Sequence, residues 1–377
     1  MNYSFISGAL LMGACLICWV ALPESGIEAL ASSGFHQSAD EKDDKKEEKP
    51  STTEEHLRLA GETGNYRWRG KLDYTMGRVD PLTGEKGPKF IQLLGESTSQ
   101  MILGDQFLLT RTLTQGKKSA EYQIHGYRSD LKQFFVIGLE ELRTPFAYRS
   151  GTEKEGERIL KDPSGYVTQV TRFDLRSKTS ESEVYLGEVK TPFLTLSSEP
   201  KKGREINLLS RLIASKPIPK VFNQSDERDD PAENYSQEHL LLHKFAGDMI
   251  ADSEEVEPRA GRIICDGRFL ASLSLSDIKE KKVSSLTLIG FDSSRSAFQM
   301  FVIRADSPNP EYYEGDFDGV TLTFRNPFAG EGKADRPVIT YNFAPKGPGF
   351  SEVDDRNKNE EKQGPVEFMP SRNFRRK

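Results

Sequence analysis

A long-period repeat constrains the fold more than any other feature of this sequence. "MILGDQFLL" at residues 101–109 returns as "IICDGRFLA" at 263–271, each an apolar run, a turn with one Gly and one Asp, and then Phe-Leu. Downstream of this motif, matching residues recur 164 positions apart, as Gly126/Gly290, Tyr127/Phe291, Phe134/Phe298, Tyr148/Tyr312, Gly151/Gly315 and Pro163/Pro327. Unrelated hairpins can share one or two such matches, whereas a constant register over the whole set indicates a duplicated domain.

The pattern within each copy predicts β-strands. From Trp68 to Leu196, short segments with period-two alternation are separated by Gly, Asp, Asn, Ser and Lys turns, which is typical of an antiparallel barrel or sandwich. Each copy opens on a short segment with a Ser or Thr start and an Ala-Gly end, at Thr52 and again at Ser236, which predicts a capped helix. The predicted fold class is all-β, with two tandem antiparallel barrels, each preceded by a short helix.

Composition divides the rest of the chain. Residues 1–31 have an uncharged apolar stretch and an Ala-x-Ala end, which predicts a signal peptide, with an uncleaved anchor over residues 5–22 as the alternative. The other predicted segments are a disordered charged tether (32–51), the first barrel (52–199), a linker (200–235), a second and more divergent barrel (236–345) and a mostly disordered tail (346–377). "PVEFMP" in that tail is a candidate last strand, and whether the second barrel is complete stays open.

The charge and the cysteine content bear on the partners and the cellular location of the protein. The chain has 377 residues and a formal net charge of -6, which gives no whole-chain electrostatic case for nucleic-acid binding. Cys15 and Cys18 lie in the leader, so only Cys265 remains in a processed chain and no internal disulfide is expected. The prediction is an exported protein, periplasmic or extracellular, which meets a membrane only if the N-terminal anchor is uncleaved.

The repeated motifs resemble a known family. In the first copy they are "HLRLAG" with Trp68, "MILGDQFL", "GYRSD" and "YRSG", and in the second they are "KFAGD", "IICDGRFL", "GFDSS" and "YYEG". Each copy resembles the small exported bacterial domains of domain-of-unknown-function family 1579. The resemblance implies calycin-like or lipocalin-like barrels, and since its motifs are turn and core residues it bears on fold more than on function. The first copy departs from the family at Gln106, where Arg is usual, and the second copy lacks the Trp.

Motifs for catalysis and metal binding are weak. His239 and His243 share a helix face at zinc-binding spacing, but "HLLLH" holds no Glu to serve as a general base. Adjacent acidic residues such as Glu140-Glu141 occur without a nucleophile or base at a fixed spacing. We therefore predict no metal and no cofactor, and the sequence does not favour an enzyme.

Aromatic residues are the remaining candidates for a binding site. An eight-stranded barrel is either filled by its own side chains or holds one small ligand, and both alternatives stay open. The main prediction is a binder of a small apolar ligand, and the alternative is a structural or protein-interaction module at the cell envelope. The residues predicted to line a ligand site are Trp68, Phe107, Phe134, Tyr148, Phe269, Phe298 and Tyr312.

Overall fold

The computed structural model of this chain contains two antiparallel barrels, barrel 1 and barrel 2. Each barrel is a sheet of ten strands that closes on itself. The structure describes residues 53–76, 78–80, 83–117, 120–139, 146–204, 206–209, 211, 237–251, 256–277, 282–293, 295–327, 338–343, 350–354 and 366–370. The prediction of an all-β chain of antiparallel barrels is therefore confirmed.

Barrel 1 follows a short helix, α1, and its strands pair in chain order, with β1 also pairing with β10 to close the sheet. The bounds are α1 Glu54–Gly61, β1 Gly64–Asp73, β2 Phe90–Ile102, β3 Phe107–Thr114, β4 Glu121–Arg128, β5 Gln133–Leu139, β6 Phe146–Lys154, β7 Glu157–Lys161, β8 Val167–Asp174, β9 Thr179–Leu186 and β10 Leu194–Pro200.

Barrel 2 repeats this order, with β11 pairing to both β12 and β20. A helix, α2, and a 3-10 turn at His243–Phe245 precede it. The bounds are α2 Gln237–Leu242, β11 Gly247–Ala251, β12 Arg259–Ile264, β13 Phe269–Asp277, β14 Lys282–Asp292, β15 Ala297–Arg304, β16 Ser307–Phe317, β17 Thr321–Arg325, β18 Val338–Phe343, β19 Phe350–Asp354 and β20 Val366–Pro370.

The C-terminal part of barrel 2 corrects the sequence prediction. Composition predicts a barrel end at residue 345 and a mostly disordered tail, but β19 and β20 lie beyond that point and close the sheet. The candidate strand in "PVEFMP" is β20. The predicted leader and tether, 1–51, and most of the predicted linker, 212–235, lie outside the described residues.

Helix α1 seals the interior of barrel 1. Leu59 is fully buried and packs against a cluster of inward-facing side chains from four strands, namely Leu108, Tyr127, Phe134, Val136 and Leu160. Leu108 and Leu160 lie on strands β3 and β7, so they meet only through the inside of the barrel. No helix in the described part of the chain is long and apolar enough to span a membrane.

A separate apolar core, the inter-barrel core, joins the outer walls of the two barrels. It combines residues of β2 to β6 with residues of β12 to β16, and Leu208 after β10 is buried within it. Most of its members are repeat equivalents, 162 positions apart before the two-residue insertion and 164 after it. These pairs are Ile102/Ile264, Leu103/Cys265, Phe107/Phe269, Leu109/Ala271, Ile124/Leu288, Ile137/Phe301, Leu139/Ile303 and Tyr148/Tyr312. The same face of each barrel therefore contacts the other, as in a two-fold interface.

Candidate functional site

The predicted ligand-lining residues fall into two environments. Phe107, Tyr148, Phe269 and Tyr312 pack in the inter-barrel core and are at most 6% exposed. Phe146 connects the two walls there, with ring centroids 5.4 Å from Phe269. That these four residues line a ligand site stays a prediction.

The other three face the barrel interiors. Phe134 packs beneath α1 in barrel 1, and Phe298 occupies the equivalent place in barrel 2. Trp68 extends over Gly95 of the neighbouring strand, which leaves room for the indole because it has no side chain. A ligand role for these residues also stays a prediction.

Barrel 2 is filled by its own side chains. Phe245 after α2 stacks edge-on against Tyr341 and Phe343, with ring centroids 5.0 Å away in both cases. A cavity of about 10 Å³ remains beside Arg259, enough for about one water molecule. Arg259 Nη2 donates to Glu352 Oε1 over 2.8 Å, so the guanidinium within this barrel is neutralised by a carboxylate.

Barrel 1 has a polar interior above its apolar floor. Inward-facing Ser, Thr, Gln, His and Arg side chains project from several strands, and they are half-buried rather than fully buried. They include Ser99, Thr110, Gln123, His125, Arg149, Gln169, Thr171 and Ser182. This lining differs from the apolar cavity that the main sequence prediction requires.

A buried ion cluster ties α1 to the wall of barrel 1. Arg158 Nη2 lies 2.6 Å from Glu62 Oε1 and 2.9 Å from Glu153 Oε2, and its guanidinium lies 4.2 Å above the ring of Phe134. Arg58 of α1 also pairs with Glu153. A buried cation without partners would destabilise the folded state, and the carboxylates of Glu62 and Glu153 prevent this by compensating the charge of Arg158.

A concavity lies on the surface of barrel 1, along β1, β8, β9 and β10 and the tip of the β6–β7 hairpin. We call it the charged groove, and its volume is about 780 Å³. It is lined by Arg67, Arg69, Glu155, Gly156, Glu157, Arg172, Phe173, Asp174, Thr179, Ser180, Glu181, Ser197, Ser198 and Glu199.

Ion pairs cross the wall of the charged groove. Arg172 Nη2 lies 2.7 Å from Glu157 Oε2, and Arg69 Nη2 lies 3.7 Å from Glu199 Oε1. The side chains of Arg69 and Glu199 are 67% and 54% exposed. Exposed pairs of this kind contribute little to stability, so these charges are available for contacts with a partner.

His239 of α2 packs as a core residue, and His243 in the 3-10 turn that follows is half-buried. His239 is 6% exposed and its ring meets Phe291 edge-on at 5.5 Å. Burial lowers the pKa of both His239 and His243. Within the described ranges, no group of three or more His, Cys, Asp or Glu residues could hold a metal ion.

Comparison with known proteins gives weak matches. No protein-family profile matches the chain, and no curated protein does. Among solved structures, a double mutant of transferrin binding protein B from Haemophilus parasuis is 9% identical with a TM-score of 0.19, over 81% of this chain and 74% of that one. Isotype 1 transferrin binding protein B from serogroup B Neisseria meningitidis is 8% identical with a TM-score of 0.16, over 81% and 76%. Scores this low do not establish a shared fold.

Proposed function

We propose that this chain is an exported, non-enzymatic interaction module that binds a protein partner through the charged groove. The observation that carries the proposal is the groove itself, about 780 Å³ in volume and lined by arginine and acidic side chains. Exposed charges of both signs suit a polypeptide segment with complementary charges, because such contacts give specificity and fast association.

A small apolar ligand is the weaker alternative. The cavity beside Arg259 in barrel 2 measures about 10 Å³, whereas sites for drug-sized ligands occupy hundreds of Å³. The interior of barrel 1 is lined by polar side chains, which an apolar ligand would leave without hydrogen-bond partners.

The finer assignments form part of the same proposal. The eight equivalent pairs in the inter-barrel core support tandem duplication, and a calycin-like relation to domain-of-unknown-function family 1579 is the ancestry we propose for both barrels. Export with removal of residues 1–31 is proposed from the apolar leader. Mass spectrometry of the protein recovered from its host would test leader removal.

Capture experiments with charge-reversed variants test the groove. The full chain is immobilised and exposed to envelope extract of the host. One variant carries Arg67→Glu, Arg69→Glu and Arg172→Glu. It is expected to capture at most about a tenth of the amount of a specific partner protein that the unaltered chain captures. The matched control reverses three exposed charges outside the groove, Lys190→Glu, Lys282→Glu and Arg325→Glu, and should capture as much as the unaltered chain.

The salt dependence of capture gives a second readout. Binding should weaken as ionic strength rises, because exposed charge contacts are screened over about 10 Å at 0.1 M salt. Equal capture by the groove variant and the control variant would refute the proposal. The proposal would also be refuted if no extract contained a protein that the unaltered chain captures and the groove variant does not.

A further inference from the structure

Cross-strand pairing shows that His125 points into barrel 1. His125 on β4 lies opposite Leu108 on one side and Val136 on the other. Both neighbours belong to the interior cluster beneath α1. Residues directly opposite each other in an antiparallel sheet share a face, so the imidazole faces the interior as well.

Arg149 faces the same interior, because it lies opposite Val136 on the other side. Its Nη1 donates a hydrogen bond to Gln169 Oε1 at 2.7 Å. Gln169 Nε2 in turn lies 3.3 Å from Thr171 Oγ1, which is 2.9 Å from Ser182 Oγ. The guanidinium is thus held in place by a chain of polar side chains on two strands, β8 and β9.

The electrostatic environment of His125 is cationic. Burial lowers its pKa to about 3, and the positive charges of Arg158 and Arg149 act in the same direction. Arg158 is already paired with Glu62 and Glu153. No described residue hydrogen-bonds to either ring nitrogen of His125, which leaves the neutral ring a donor and an acceptor for another molecule.

A second donor in this interior also lacks a protein acceptor. The Nε1–H of Trp68 is buried and has no hydrogen-bond partner among the described residues. Buried polar groups are nearly always hydrogen-bonded, to protein, to water or to a ligand. The interior therefore offers donors and positive charge to whatever occupies it.

We propose that the polar interior of barrel 1 binds a small oxyanion, with Arg149 as its charge partner and His125 and Gln169 within its hydrogen-bonding shell. Guanidinium groups bind carboxylate and phosphate through paired, charge-assisted hydrogen bonds, so either group meets the same recognition chemistry. The site is distinct from the charged groove, whose arginines lie on the outer wall.

Calorimetric titration of the full chain tests the site. The probes are sodium phosphate and sodium acetate, each at constant ionic strength set with sodium chloride. At least one anion should bind saturably and change the fluorescence emission of Trp68. The anion with the higher affinity shows whether the site prefers a phosphate or a carboxylate. The sequence contains two Trp residues, so Trp68→Phe should abolish the emission change without abolishing the heat.

Paired variants locate the binding. Arg149→Gln should weaken the anion by about tenfold or more, because the charge-assisted bonds are lost. Arg325→Gln, which removes an exposed arginine of β17 in barrel 2 outside the charged groove, should leave the affinity unchanged. His125→Gln keeps a donor and an acceptor and provides a second test if Arg149→Gln fails to fold, with a smaller expected loss of affinity.

Two results would overturn the proposal. One is the absence of a saturable signal with either anion. The other is an affinity for the anion that is the same in the Arg325→Gln control and in the folded variants Arg149→Gln and His125→Gln. Neither result bears on the capture experiment with the charged groove, so failure of one proposal is distinguishable from failure of the other.

Discussion

At the scale of single residues, His125 is an ionisable group kept neutral inside a protein. Its folded pKa is lowered from 6.5 to about 3, by burial first and then by the charges of Arg158 and Arg149. In the unfolded chain the ring protonates near its ordinary pKa. Acid therefore favours the unfolded state. The free energy of unfolding begins to fall as the pH drops below the pKa of His125 in the unfolded chain, and this loss ends near its pKa in the folded chain.

The expected consequence is an acid sensitivity that a single substitution reduces. His125→Gln should lose less stability than the unaltered chain between about pH 7 and about pH 4.5, by at most about 1.4 kcal/mol for each pH unit below the unfolded pKa. Urea unfolding at both pH values measures the difference. An equal loss in the two proteins would show that the imidazole is not kept neutral in the folded state.

Two other residues hold an unusual backbone conformation. Leu103 and Cys265 occupy equivalent positions of the repeat and have φ angles of 53° and 50°. A left-handed conformation costs a non-glycine residue about 1–2 kcal/mol. Both side chains are buried in the inter-barrel core, at 4% and 5% exposure, and this burial offsets the cost. The sequence predicts a turn at each site from its Gly and Asp, but not which residue adopts the positive φ.

At the scale of strands, the pairing of β1 with β2 depends on a position without a side chain. A Cβ on Gly95 would lie 2.3 Å from the Trp68 ring and 2.5 Å from the carbonyl oxygen of Leu113. Gly138 on β5 makes a matched comparison, because a Cβ there would meet nothing closer than 3.5 Å. Neither glycine has a positive φ, so the comparison isolates the effect of packing.

Gly95→Ala should therefore destabilise the protein by about 1–3 kcal/mol, the usual cost of overpacking. Gly138→Ala should change stability by less than about 1 kcal/mol, since a strand alanine replaces a more flexible glycine. Thermal unfolding monitored by circular dichroism measures both variants. Similar midpoints for the two would contradict the close approach of the indole to Gly95.

Strand patterns predict elements better than they predict what those elements enclose. The even spacing of alternating segments predicts the antiparallel barrels, but β19 and β20 lie in charged sequence and form by pairing with their neighbours. Strand β8, "VTQVTRFD", carries polar residues on both faces, so its alternation does not indicate that Gln169 and Thr171 face inward. For the same reason the sequence does not indicate the anion site that we propose.

At the scale of the whole molecule, the inter-barrel core couples the stability of the two barrels. Phe301 on β15 of barrel 2 packs 5.1 Å from the ring of Phe146 and 6.5 Å from that of Tyr148, both of barrel 1. The repeat predicts two copies, but period-two alternation does not distinguish an inner from an outer apolar face. For this reason the sequence does not indicate that Phe107 and Tyr148 lie between the barrels, where the structure places them.

Phe301→Ala should lower the unfolding midpoint of barrel 1 as well as that of barrel 2. The expected cost is about 3–5 kcal/mol, as for other buried aromatic truncations. Trp68 emission reports on barrel 1, and far-ultraviolet circular dichroism reports on the whole chain. Val320→Ala, at a position 54% exposed, is the control and should leave both midpoints unchanged. An unaltered Trp68 midpoint in Phe301→Ala would mean that the barrels unfold independently.

Because the contact positions repeat, contacts between the barrels of two molecules compete with contacts between the two barrels of one molecule during folding. The face that barrel 1 offers to barrel 2 is built from equivalent residues, so barrel 1 of one molecule fits barrel 2 of another as well as it fits its own. Covalent connection favours the internal pairing through an effective concentration that reaches the millimolar range for short flexible linkers. Refolding at high protein concentration shifts the balance towards reciprocally exchanged dimers, in which every native contact is retained and only the molecule supplying it has changed.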